Sequence, residues 1–96
     1  MPCRLSVIDI QTPQEISLKP AKAFGQALRH FRAKLQISQE RLSQESGLDR
    51  SYISLLERGL RQPSLTTLLQ LAKALNVSSG ELILKVEELL DENYKN

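Results

Sequence analysis

The stretch Ser38 to Gly59, SQERLSQESGLDRSYISLLERG, decides how the chain is read. Ser38 is a strong helix N-cap, and Gly47 is a natural stop because a left-handed backbone costs glycine almost nothing. Asp49 caps a second short helix that runs to Gly59. Ile53 and Leu56 share the inward face of that helix, which turns Arg50, Ser51, Ser54 and Arg58 outward. Ser43 falls where the two helices cross, and its small side chain permits close approach. Two short helices joined by a glycine turn form a helix-turn-helix, whose second helix is shaped to enter the major groove of DNA.

Three more helices frame this pair. The first starts near Pro20, whose fixed φ suits a first helical turn. Phe24, Leu28, Phe31 and Leu35 then recur at helical spacing and predict one buried stripe. Beyond the loop Leu60-Arg61-Gln62-Pro63, Ser64 caps a helix carrying Leu65, Leu68, Leu69, Ala72 and Leu75. Ser78 and Glu81 stand in capping-box spacing and open the last helix, with Leu82, Ile83, Val86, Leu89 and Leu90. Residues 1–18 read as an arm, either flexible or, through Leu5, Val7, Ile8 and Ile10, a strand exchanged in a dimer. Residues 19–96 form the domain.

Ninety-six residues suffice for one core without metal or disulfide. The single cysteine, Cys3, can make no internal bridge and no zinc site, which fits a reducing cytoplasm. No apolar run approaches a membrane span, and the N-terminus lacks a signal-peptide core. Net charge is only +2, but its placement is uneven. Between Lys19 and Arg61, Lys19, Lys22, Arg29, Arg32, Lys34, Arg41, Arg50, Arg58 and Arg61 face only Glu40, Glu45, Asp49 and Glu57. From Glu81 onward the sign reverses. Such polarity fits a polyanion-facing half, with an ordinary solvated surface as the alternative.

The sequence also resembles the phage repressor and Cro type of regulators (lambda repressor-like, XRE family). The resemblance rests on Gln39, Ser43, Gly47, Tyr52-Ile53-Ser54, Glu57-Arg58-Gly59, Pro63-Ser64 and the leucines from Leu68 to Leu75, and covers about residues 20–84. It implies an all-α, five-helix lambda repressor-like DNA-binding domain. It also implies an ion pair between Arg32, late in the first helix, and Glu57, tying the scaffold beside the DNA. The run from Leu48 to Ser54 is similar to the recognition helix of restriction-modification controller proteins, in which the equivalents of Arg50, Ser51 and Tyr52 meet DNA.

On this reading Arg50, in the first turn of the recognition helix, contacts a base edge or a phosphate. Ser51 is a permissive base or phosphate contact. Ser54 shares the outward face. Tyr52 touches DNA or packs half-buried, and Leu55 meets a thymine methyl or joins the core. Gln39, at a helix N-terminus, is placed for a phosphate. Ser38 is first a cap and only secondarily a phosphate ligand. Arg58 and Arg61 flank the following loop and are expected to grip phosphates. His30 has no neighbouring ligand set and reads as a surface residue.

The expected function is sequence-specific binding of double-stranded DNA by a transcriptional regulator. Leu82, Ile83, Val86, Leu89 and Leu90 either close the core or form a homodimer contact that matches a two-fold operator. A restriction-modification controller and an antitoxin that also binds a toxin protein through the arm are the alternatives. Neither cofactor nor metal is expected. No Gly-rich phosphate loop, metal spacing or triad supports an enzyme.

Overall fold

The computed structural model of the protein describes residues 19–95, with side chains through Asp91. The chain forms α1 (Pro20–Leu35), α2 (Gln39–Ser46), α3 (Arg50–Glu57), α4 (Leu65–Ala74) and α5 (Ser79–Lys95). No strand occurs among the described residues, and none of their helices is long and apolar enough to cross a membrane. The fold is all-α. The arm, its strand character and its proposed role toward a protein partner lie outside the described residues.

Each helix start has a local cause. Pro20 opens α1 without a side-chain cap. Ser38 Oγ accepts from Arg41 N at 3.0 Å, and Ser64 Oγ accepts from Thr67 N at 3.1 Å. At α5 the capping box is reciprocal: Glu81 N donates to Ser78 Oγ at 3.0 Å, and Ser78 N donates to Glu81 Oε1 at 3.1 Å. Such side-chain acceptors replace the carbonyl partners that a first helical turn lacks.

α1 lies against both α3 and α5, while α2 packs on α3 and α4. Leu28, Leu42, Ile53, Leu56, Leu71, Leu75 and Leu82 are fully buried, with Phe24, Phe31 and Val86 closing the core around them. Each buried large aliphatic side chain contributes about 1.5–3 kcal/mol relative to exposure, which is what holds so small a domain together.

Leu35 departs from the expected stripe and is 42% exposed. It is the last residue of α1, and the chain turns away at Gln36 in the left-handed region (φ +58) before another helix can cover it. Leu65 and Leu69 keep helical spacing on α4, yet are 73% and 50% exposed. Their side of α4 faces away from the core that takes Leu71, Ala72 and Leu75.

Candidate nucleic-acid interface

The turn between α2 and α3 is built as the sequence predicts and is further braced by two serines. Gly47 sits at φ +77, and its N–H donates to Ser43 O at 2.9 Å. Ser43 Oγ donates to Leu48 O at 2.5 Å, so this residue is more than a small spacer at the crossing. Buried Ser46 accepts from Leu48 N at 3.2 Å, and Gln70 of α4 reaches Ser46 O at 3.4 Å. These bonds set the angle of α3 against α2.

Asp49 caps α3 by accepting from Ser51 N at 3.2 Å and from the Ser51 hydroxyl. The Ser51 hydroxyl bond is the main reason the Asp49 carboxyl is held below the usual aspartate range; contacts from the Ser51 and Tyr52 backbone add to it. Ile53 and Leu56 anchor the inner face of α3. Arg50, Ser51 and Arg58 are exposed and Ser54 half-exposed on the outer face.

A concavity of about 340 Å³ runs along this face, lined by Gln39, Arg50, Ser51, Ser54, Leu55 and Arg58. Leu55 therefore belongs to the outer surface and not to the core cluster. Tyr52 is half-buried against the core, and the Arg61 guanidinium lies 6.0 Å from its ring centroid, a cation–π contact that orients the arginine. Arg58 Nε donates to Ser54 O at 3.4 Å, which leaves the outer guanidinium nitrogens for another acceptor. Ser38 acts as a cap at the exposed start of α2.

Behind this surface lies a polar clasp. Arg32 donates from Nε to Glu57 Oε2 at 2.7 Å and from Nη2 to Oε1 at 3.0 Å, and its Nη1 donates to Ile37 O at 3.0 Å. Gln39 Nε2 also donates to Glu57 Oε1, at 2.9 Å. Glu57, 3% exposed, thus ties α1, α2 and α3 together and has its charge matched by Arg32. Gln39, placed by its sequence position for a phosphate, is thus also part of the scaffold behind the surface, through a bond that local sequence does not signal. The backbone amides at the start of α2, beside Gln39, face away from any helical acceptor.

His30 is exposed, edge-on to Phe31 at 5.0 Å; partial burial and then the charges of Lys85 and Lys34 lower its pKa. Among the described residues no group of His, Cys, Asp and Glu is arranged to hold a metal ion.

The residues predicted for self-association separate. Leu82 is fully buried in the chain's own core and Val86 nearly so, which leaves Leu82 no surface to offer a copy. Leu89 and Leu90 are half-buried against the core, whereas Ile83 is 40% exposed. Leu84, not in the predicted set, is 54% exposed.

Comparison with known proteins agrees with this fold. The helix-turn-helix family model matches residues 28–82. An uncharacterized HTH-type transcriptional regulator of Sinorhizobium fredii is 39% identical over 67 residues, covering 70% of this chain and 87% of that protein. The control protein C.BamHI of Bacillus amyloliquefaciens is 44% identical over 61 residues, covering 62% of this chain and 75% of its own. Among solved structures, the restriction-modification controller protein C.AhdI from Aeromonas hydrophila superposes with a TM-score of 0.63 at 48% identity, over 65% of this chain and 94% of that one. The chain belongs to the XRE-type helix-turn-helix family of transcriptional regulators.

Proposed function

We propose that this protein binds a two-fold operator in double-stranded DNA as a homodimer and regulates transcription by occupying it. The observation that carries the reading is the state of α3. Its inner face is locked by Ile53, Leu56 and the Glu57 clasp, while Arg50 stands exposed in its first turn with no ion-pair partner among the described residues. An arginine so placed can meet guanine bidentately once the helix lies in the major groove. Ser51, Ser54 and Leu55 add short contacts, and Arg58, Arg61 and the start of α2 take phosphates on either side.

Self-association is supported by an apolar surface shared by the start of α1, α4 and α5. A mostly apolar concavity of about 350 Å³ includes Pro63, Leu65, Leu68, Ile83 and Val86. Two copies joined there would present two recognition helices related by two-fold symmetry, with half-sites roughly 34 Å apart. Regulation of a restriction-modification system is the narrower reading, favoured by the identity to C.AhdI and C.BamHI.

Selection of binding sites from random duplex DNA, coupled to a mass measurement of the complex, tests the proposal. A palindromic site bound by two chains is expected. Absence of any sequence preference, or one chain on an asymmetric site, overturns it.

A further inference from the structure

A second concavity, of about 370 Å³, lies between α1 and the C-terminal end of α3, lined by Lys22, Gln26, Arg29, Glu57, Arg58 and Leu60. It shares Arg58 with the concavity along the recognition helix. We propose that it is an additional DNA-backbone site, in which Lys22 and Arg29 hold phosphates that the base-reading face of α3 does not reach.

The site is preset by close backbone packing. A Cβ on Gly25 would come within 2.5 Å of Glu57 O and 2.6 Å of Leu56 O, and one on Gly59 within 3.0 Å of Lys22 Cα. α1 therefore rests directly on the end of α3, and its charged side keeps a fixed position relative to the recognition helix. Lys22 Nζ donates to Arg58 O at 3.3 Å, which orients the ammonium beside Arg58 and leaves its other hydrogens for a ligand.

The charge in this concavity is uncompensated. Its one carboxylate, Glu57, is already bound by Arg32 and Gln39. Arg29 is exposed and makes no ion pair among the described residues. Lys22 and Arg29 stand two helical turns apart, about 10 Å along the axis. That separation lets each side chain take a phosphate of its own. It suits a DNA strand, which carries a charge roughly every 3.4 Å of axis.

The site rests on the DNA-binding reading above and needs a test that fails separately. The salt dependence of affinity for the selected duplex is measured for the wild-type chain, Lys22→Gln, Arg29→Gln and the control Lys73→Gln, an exposed α4 residue outside both concavities. Because Lys22 packs over Gly59, folding of that variant is checked by circular dichroism; Arg29→Gln, at an exposed position, stands independently. Each of the two α1 variants is expected to lower the slope of log affinity against log salt by about 0.9, with base preference unchanged. Lys73→Gln is expected to keep the wild-type slope. If the wild-type chain prefers a sequence but Arg29→Gln keeps its slope, or Lys73→Gln lowers it equally, this site is overturned alone. If the wild-type chain shows no preference, the regulator reading falls and takes the site with it.

Discussion

Arg32 of α1 and Glu57 of α3 meet edge to edge, with bonds of 2.7 and 3.0 Å, although 25 residues separate them in the chain. The pair sits between the core and the outward face of α3, and Gln39 joins it from α2. Its role is geometric: it fixes where three helices meet immediately behind the surface that carries Arg50 and Arg58.

Glu57→Ala removes the acceptor for both Arg32 and Gln39. Breaking a fully buried pair costs about 3–5 kcal/mol, and the partial exposure of Arg32 lets water take over some of its bonds, so about 2–3 kcal/mol is expected. Urea denaturation of wild type and variant checks this. A loss below half of that would mean the clasp is incidental to stability.

Gly25→Ala sets two effects against each other. Helix propensity favours alanine by about 1 kcal/mol. The new methyl, however, would collide with the carbonyl oxygens of Leu56 and Glu57, which are backbone atoms and cannot rotate aside. Overpacking of this kind costs about 1–3 kcal/mol or more, so the clash wins and the variant is expected to unfold at lower urea. A stabilised variant would show that α1 and α3 are not so closely seated.

Asp49 makes the stability of α3 depend on pH. Its carboxyl titrates lower in the folded chain than in the unfolded one, chiefly through the Ser51 hydroxyl. Its contribution is therefore complete above the usual aspartate range and is lost as pH falls through the lowered value. Asp49→Asn keeps a capping oxygen without the charge. Its melting temperature is expected to lie below wild type near neutrality and to converge with it in acid. A gap that persists unchanged in acid contradicts this.

The helix-turn-helix was largely legible in the sequence because its signals are local. Ser38, Gly47, Asp49, Ser64 and Ser78 act within a turn or two of themselves, and all behave as their types require. What escaped depends on distant packing. Gly25 looks like a weak point in a helix until α3 is seen pressed against it. The bond from Gln39 to Glu57 spans 18 residues and needs the third partner, Arg32, to be in place. Periodicity likewise tells which leucines share a helix face but not which face is covered, and so Leu35 is exposed where a buried stripe is expected, while Leu82 takes the core alternative.

Ile83 and Leu65 border the apolar concavity where a second copy is proposed to sit. Both are exposed in the single chain, so a charge at either position leaves the core intact. Ile83→Asp and Leu65→Asp are expected to shift sedimentation equilibrium toward monomer without lowering helix content. A dimer of unaltered strength would place the association surface elsewhere.

The central claim, that the outward side of α3 reads base sequence, is tested most directly at Arg50. Arg50→Ala is compared with wild type at one fixed salt concentration, on the selected operator and on random duplex. Loss of a bidentate base contact predicts a drop of about 1–3 kcal/mol on the operator, roughly 5- to 150-fold, with preference relaxed at one base pair per half-site. Affinity for random duplex is expected to fall far less. Unchanged operator affinity together with unchanged base preference would contradict the account.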